Sequence, residues 1–127
     1  MPKFRSGSER RLYDFLKSNK LKHRYEPYKI KYRVSLIRRY LPDFVLPNGI
    51  VLEVKGRFAT ADRQKHLYIR QEHPLLDVRF VFDNPKSKLY KGSKTTYADW
   101  CTKHNFKFCS AKDSETLLLW CKEKSDS

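Results

Sequence analysis

The spacing of apolar and polar residues predicts a helix followed by an extended segment at the start of the chain. A capping box at residues 6–9 and three apolar side chains at helical spacing predict a helix over residues 7–18, with Asn19 as its left-handed stop. Residues 21–40 are strongly basic, and their aromatic and β-branched side chains favour a strand. Pro27 indicates that this strand lies at an edge or contains a bulge.

The rest of the chain alternates between strand and helix patterns. Turn residues and capping residues separate these patterns throughout. The order of elements is helix, strands, helix, strand, helix, strand, helix, which predicts an α/β fold with a mixed central sheet flanked by helices. The predicted elements are a hairpin within residues 42–55, helices at 60–71, 95–103 and 114–121, and strands at 77–82 and 106–109.

The hairpin turn determines which side chains share a face. Pro47-Asn48-Gly49 suits a three-residue type I turn followed by a bulge, which pairs Leu46 with Ile50. Counting back along both arms, Asp43 then lies directly opposite Glu53. A two-residue Asn-Gly turn would shift the register by one and move Asp43 to the other face.

This arrangement predicts metal chemistry at the end of the hairpin. Glu53 and Lys55 point the same way, roughly 7 Å apart along the strand, and Val54 faces the opposite side. Two adjacent carboxylates repel unless a cation lies between them, and oxygen ligands suit Mg²⁺ or Mn²⁺. Lys55 could then orient or deprotonate an attacking water, or neutralise charge on a phosphate. The alternative is a surface hairpin whose charged side chains are simply solvated.

The net charge indicates a polyanionic partner. The chain carries 28 Lys and Arg against 14 Asp and Glu, a formal charge of +14. Residues 1–41 hold 13 basic and 3 acidic side chains, so their net charge is +10. Nucleic acid is the natural partner for such a surface. The 127 residues suffice for one domain with one core.

Other functional classes receive little support from the sequence. No apolar stretch approaches the roughly 20 residues of a membrane span, and the first residues lack the apolar core of a signal peptide, so we expect a cytoplasmic protein. Cys101, His104, Cys109 and Cys121 could be drawn as a zinc site, but their spacing is unfamiliar. Reduced, packed thiols are the preferred interpretation.

Several ordered runs of residues resemble a known family. The resemblance covers roughly residues 4–108 and is to phage endonuclease I, the Holliday-junction resolvase of T-odd podophages in the PD-(D/E)xK nuclease superfamily. The runs are Phe4-Arg5-Ser6-Gly7 with Glu9, Pro42-Asp43-Phe44, Leu46-Pro47-Asn48-Gly49-Ile50, Glu53-Val54-Lys55-Gly56, Lys65-His66-Leu67 and Lys88-Leu89-Tyr90-Lys91-Gly92-Ser93.

The resemblance implies an active site shared between two chains. Glu9, Asp43, Glu53 and Lys55 match the catalytic set of the family. Asp43, Glu53 and the carbonyl of Val54 would hold one Mg²⁺, and Asp43 with Glu9 would hold a second. The family has a restriction-endonuclease-like core and forms an intertwined homodimer. Residues 1–41 would therefore exchange between subunits, and residues 42–127 would form the catalytic core. The alternative for Glu9 is a purely structural capping role.

The expected activity is cleavage of branched DNA in a phage-infected or prophage-bearing bacterial cell. Phosphate contacts would read the shape of the DNA and not its sequence. Two alternatives remain open: a related nuclease that nicks linear or mismatched duplex, and a non-catalytic basic protein that binds nucleic acid. The candidate DNA contacts are Arg5, Arg10, Arg11, Lys65, His66 and Arg70.

Overall fold

The computed structural model describes residues 3–125, and this part of the chain contains four helices and four strands. The strands form one mixed sheet in the order β1-β2-β3-β4. β1 and β2 are antiparallel, whereas β2, β3 and β4 are parallel. The elements are α1 (Gly7–Ser18), β1 (Phe44–Val45), β2 (Val51–Lys55), α2 (Thr60–Glu72), β3 (Val78–Phe82), α3 (Tyr97–Lys103), β4 (Phe108–Ser110) and α4 (Ser114–Lys122).

The predicted α/β class and mixed sheet are confirmed. α1 has the predicted bounds, and α2, β3 and α4 differ from prediction by one residue at one end. α3 begins at Tyr97, two residues later than predicted, because the Thr96 side chain caps it by accepting a hydrogen bond from the Asp99 amide. β4 begins two residues later than predicted, at Phe108.

Two expectations for the segment after α1 are wrong. Asn19 ends the helix with φ of −92°, and the left-handed residue is Lys20, with φ of 55°. Residues 21–40 contain no strand within the described part of the chain. A strand requires a hydrogen-bonded neighbour, and no segment within residues 3–125 pairs with these residues.

The helices cover both faces of the sheet. One face packs against α2 and α3 through an aromatic core, in which Phe58 contacts the rings of Phe80, Phe82, Tyr97 and Trp100 at centroid distances of 4.9–5.8 Å. Phe58, Phe80 and Phe82 are completely buried. This core supports the strand that carries the candidate site, because Val51 of β2 belongs to it.

The other face is covered by α4, which also holds the hairpin turn. Trp120 packs with Ile50 and Val81, and Leu52 lies against the same cluster. The side-chain amide of Asn48 donates to the carbonyl oxygen of Trp120 at 2.8 Å. The carboxyl-terminal helix therefore anchors the turn between β1 and β2.

The contacts divide the chain into two units, residues 1–38 and residues 39–127. The first contains α1 and the second contains the sheet with its three helices. That residues 1–41 exchange between subunits and residues 42–127 form the catalytic core stays a prediction. None of the described helices has the length and apolar character needed to cross a membrane.

Phe58 is the side chain on which the aromatic core depends most directly. Replacing it with alanine should lower the free energy of unfolding by about 3–5 kcal/mol, because its removal leaves a cavity among four rings. Leu75→Ala is the matched control, since Leu75 is 98% exposed and its truncation should change stability by less than about 0.5 kcal/mol. Urea titration of both variants measures the difference, and equal losses would contradict this account of the core.

Candidate active site

The hairpin turn has the bulged geometry that the sequence predicts. The Leu46 amide donates to the Ile50 carbonyl at 2.8 Å, and the Gly49 amide donates back to the Leu46 carbonyl at 2.8 Å. Gly49 has φ of +89°, a conformation that glycine adopts without strain. The three-residue loop and the Leu46–Ile50 pair are therefore confirmed.

This register brings the two carboxylate residues of the hairpin together. Phe44 pairs with Leu52, so the next position along each arm sets Asp43 opposite Glu53. The Asp43 amide donates to Glu53 Oε2 at 2.9 Å, and the Val54 amide donates to Asp43 Oδ2 at 2.9 Å. Each arm thus supplies a carboxylate acceptor to a backbone amide of the other. These two bonds hold Asp43 beside β2 although β1 itself begins only at Phe44.

Glu53 lies in the buried face of β2. It shares that face with Val51 and is only 1% exposed. Burial raises the pKa of the Glu53 carboxyl, and the opposing effect of the Asp43 amide does not cancel this rise. The proximity of the Asp43 carboxylate raises the Glu53 pKa further. An ionised Glu53 is therefore costly in this position unless a cation approaches it.

His66 packs against the buried Glu53 carboxylate. Its Nε2 lies 3.3 Å from Glu53 Oε1, and its ring is sealed between Tyr40 and Phe80. Burial and the charges of Lys65 and Lys55 lower the pKa of His66 to about 4, so the imidazole is neutral at pH 7. Within residues 3–125 neither ring nitrogen forms a hydrogen bond, because the close approach of Nε2 to Glu53 lacks hydrogen-bond geometry. The prediction that His66 contacts DNA is corrected, because a side chain 1% exposed offers no surface to a phosphate.

Tyr40 is a neighbour of Glu53 that sequence reasoning missed. Burial raises the pKa of the Tyr40 hydroxyl, and the Glu53 carboxylate is the next cause of that rise. The phenol is therefore protonated at any pH the fold encounters. No local pattern distinguishes this tyrosine from the others in the basic segment, so the sequence contained no signal for its position.

Lys55 has an acidic partner that sequence reasoning also missed. Its Nζ lies 3.4 Å from Asp62 Oδ1, and the other carboxylate oxygen of Asp62 accepts from the Ala59 amide at 3.3 Å. Asp62 thus joins the first turn of α2 to the end of β2. An acidic residue in a first helical turn is an ordinary sequence feature, and only the fold brings it to Lys55.

The donor set at the hairpin fits a hard divalent cation. Asp43 and Glu53 provide carboxylate oxygens on adjacent arms, and Mg²⁺ is commonly held by one or two carboxylates with waters and substrate phosphates. Within residues 3–125, no three side chains of His, Cys, Asp or Glu converge as a ready-made metal cage. Any ion held here therefore needs further oxygen ligands beyond these two side chains.

Glu9 belongs to the other contact unit. The Ser6 hydroxyl accepts from the Glu9 amide at 3.2 Å, which confirms Ser6 as the cap of α1. The reciprocal half of the capping box is replaced, because the Glu9 carboxylate accepts a hydrogen bond from the Tyr25 hydroxyl. That Glu9 joins Asp43 and Glu53 in one site stays a prediction.

Arg70 has a structural role that argues against its predicted contact with DNA. Its Nη1 donates to the His104 carbonyl at 2.8 Å, and its Nη2 donates to the Asn105 carbonyl at 3.3 Å. Its guanidinium also lies 3.7 Å from the centre of the Phe106 ring. These contacts hold the carboxyl end of α3 and leave little of the guanidinium for a phosphate.

The other four candidate DNA contacts are solvent-exposed. Arg5 pairs with Glu26, Arg10 lies 3.9 Å from Asp14, Arg11 donates to the Ser8 hydroxyl and Lys65 lies over the Tyr40 ring. Each cation remains accessible, and a DNA phosphate can replace such weak surface partners.

The cysteines do not form a common metal site. Cys101 lies in the aromatic core, whereas Cys109 lies in the cluster under α4 on the other face of the sheet. Burial raises the pKa of Cys101 to about 12 and that of Cys109 to about 11, so both remain thiols. Since metals bind the thiolate, these residues pack as small apolar side chains.

Comparison with known proteins identifies relatives over nearly the whole chain. A family model for phage endonuclease I matches residues 1–126, which extends the likeness beyond the predicted limit near residue 108. The chain is 46% identical over 121 residues to Endonuclease I of Escherichia phage T7, covering 94% of this chain and 79% of that protein. It is 49% identical over 106 residues to Endodeoxyribonuclease 1 of Enterobacteria phage T3, covering 83% of this chain and 70% of that protein.

The buried histidine predicts a specific pH dependence of stability. His66 has a folded pKa of about 4, below its unfolded value of 6.5. Its contribution is therefore complete above pH 6.5 and is lost as the pH falls toward 4. The free-energy difference between wild type and His66→Gln should shrink by on the order of 2–3 kcal/mol over this range.

The measurement is chemical denaturation at a series of pH values. His73→Gln serves as control because His73 is solvent-exposed, and its difference from wild type should stay nearly constant. A His66→Gln difference that does not change with pH would refute the burial of a neutral imidazole.

Proposed function

This chain belongs to the phage endonuclease I family, and from that premise we propose that it is a metal-dependent DNA endonuclease acting on four-way and other branched junctions. The observation that carries the proposal is the pairing of Asp43 with Glu53 across the bulged hairpin, with Lys55 on the same face of β2. Such a pair of carboxylates beside an amine suits hydrolysis of a phosphodiester.

The carboxylates would act as metal ligands. Asp43, Glu53 and the Val54 carbonyl would hold one Mg²⁺ or Mn²⁺, and Asp43 with Glu9 would hold a second. When bound, these ions supply an activated water and neutralise charge on the phosphate. The hydrogen bonds from the two hairpin amides orient the carboxylates before any ion arrives. A cation would also offset the cost of an ionised Glu53 in its buried position.

Lys55 would act on the water or on the phosphate. Its amine is anchored by Asp62 at 3.4 Å, so its position is set by α2 as well as by its own strand. A protonated amine there orients the attacking water and balances negative charge that develops on phosphorus. Asp62 keeps the ammonium beside the carboxylates without occupying all three of its donors.

Basic residues of the first 41 positions would hold the DNA. Arg5, Arg10 and Arg11 remain our candidates from this segment, and Lys65 is the candidate from α2. Their contacts would be with phosphates, so binding should respond to the shape of a junction and weaken as salt rises.

Two chains would exchange their amino-terminal segments in a homodimer. Most large apolar side chains of residues 28–41 are strongly exposed, Tyr40 excepted: Ile30 is 77% exposed, Ile37 100% and Leu41 89%. Such a run is unfavourable in water and is typical of a protein interface. A second copy of the chain would also supply the neighbour that this extended segment lacks. Glu9 would then complete the site of the partner subunit.

The site assignment predicts that Glu53→Ala abolishes cleavage. Loss of a ligand removes several kcal/mol of transition-state stabilisation, which corresponds to more than about a 100-fold loss of rate. Lys55→Ala should lose cleavage in the same way, and both variants should still bind a junction. The assay compares a labelled four-way junction with a linear duplex of equal length in Mg²⁺, and faster cleavage of the junction is expected.

A metal-binding measurement and a control variant complete this test. Titration calorimetry should detect Mg²⁺ or Mn²⁺ uptake by the wild type and a strong loss of uptake by Glu53→Ala. Glu72→Ala, which removes an exposed glutamate at the end of α2, should cleave normally. Retained cleavage by Glu53→Ala would falsify the site, and equal rates on junction and duplex would refute the selectivity.

Subunit exchange predicts complementation between two inactive variants. In a hybrid of Glu9→Ala and Glu53→Ala chains, one site would contain both changes and the other would contain neither. Co-refolding the two inactive proteins should therefore restore cleavage through a single site, giving nicked junctions. A hybrid that stays inactive would show that Glu9 and Glu53 act within the same chain.

A further inference from the structure

A cleft opens beside the candidate site on the same end of the sheet. It has a volume of about 700 Å³ and lies between the connection from β2 to α2 and the loop of residues 88–92. Both walls follow the carboxyl ends of parallel strands, since β2 ends at Lys55 and β3 ends at Phe82. Ligands of open α/β sheets bind at this end of the strands.

Three cations line this cleft without an acidic neighbour in its wall. Arg57 comes from one side and Lys88 and Lys91 come from the other, and all three are exposed. Within residues 3–125 none of them lies within salt-bridge distance of an acidic side chain. Like charges gathered around an opening repel one another and attract an anionic ligand.

The loop that carries the two lysines is held firmly by its own hydrogen bonds. The Leu89 amide donates to the Thr95 carbonyl at 3.0 Å, and the Tyr97 amide donates to the Ser87 carbonyl at 2.8 Å. Lys88 also forms a β-bridge with Thr96. The cations are therefore displayed on a preorganised surface, which lowers the entropy lost on binding.

The opposite wall is fixed by the core. The Tyr97 hydroxyl accepts from the Phe58 amide at 3.2 Å, and both side chains are buried. Tyr90, in contrast, is 67% exposed at the rim. An exposed aromatic ring among cations suits a nucleic-acid strand, because it can contact a sugar or a base while the cations hold phosphates.

The position of the cleft relates it to the reacting phosphate. Arg57 follows the catalytic Lys55 by two residues, and an extended chain spans at most roughly 3.3–3.6 Å per residue. If a scissile phosphate is held at Lys55, the mouth of the cleft lies within about one or two nucleotides of it.

We propose that this cleft holds the backbone of the DNA strand being cut, on one side of the scissile phosphate, through Arg57, Lys88 and Lys91. The assignment rests on the proposed nuclease function. It gives the loop of residues 88–92 the task of binding the phosphates next to the cut, which aligns the strand at the carboxylates.

The test compares two variants that lose the same charge. Lys88→Ala/Lys91→Ala changes the cleft, and Lys103→Ala/Lys107→Ala removes two exposed lysines at the opposite end of the sheet. Junction binding is measured over a salt series with divalent ions chelated. The slope of log affinity against log salt should fall by about 0.9 for each lost phosphate contact in the cleft variant. The control should change it by much less, and equal slopes would overturn the proposal.

A second measurement locates the contact along the DNA. Single neutral methylphosphonates are placed at successive positions around the cleavage site. Wild type should lose affinity when the neutral linkage lies one or two nucleotides from the cut, and the cleft variant should be insensitive there. Equal sensitivity of both proteins would refute the assignment, as would a maximum elsewhere on the junction. Matching urea midpoints for all variants establish that each is folded.

The salt series reports binding without metal and without cleavage, so it gives a result whatever Glu53→Ala does. Normal slopes together with loss of cleavage in Glu53→Ala would remove the cleft from the DNA path and leave the active site intact.

Discussion

The site depends on two reciprocal hydrogen bonds that cross the hairpin between Asp43 and the Glu53-Val54 pair. Each bond uses a carboxylate of one arm and a main-chain amide of the other, so the carboxylates cannot separate unless the hairpin opens. The bonds exist only in one register, which the three-residue turn ending at Gly49 imposes. A shift of one position would send every side chain of β1 to the wrong face.

The same hairpin register places an ionisable group, the Glu53 carboxyl, in the buried core, where burial destabilises its charged form. Glu53 follows Val51 on the face that packs against the aromatic core, and His66 of α2 lies directly against it. A well-packed apolar pair would be more stable at these positions. Violations of this kind are expected where a protein acts on a ligand. The buried positions at which the core loses stability are therefore those around Glu53, the carboxylate that would bind a cation.

The parts of the fold governed by near neighbours in sequence could be predicted from the sequence. The cap of α1 involves Ser6 and Glu9, and the turn involves residues 46–50, so a few side chains contain the whole signal. Pairs formed across the fold could not be predicted in this way. The buried face of α2 carries Arg63 and His66, and a polarity pattern assigns such residues to solvent. The prediction for the basic segment, residues 21–40, was wrong for a different reason: its residue types favour an extended backbone, and no pairing partner for it lies within the described residues 3–125.

The contact between α4 and the hairpin turn at Asn48 has a consequence for folding during synthesis. Asn48 donates to two carbonyl oxygens, those of Trp120 and Glu123, at 2.8 and 3.0 Å. A ribosome translates the hairpin long before it reaches these residues. During that interval the nascent chain already contains both acidic side chains, but the turn between them lacks its anchor to α4. The turn gains this anchor only after the last helix has emerged and folded back.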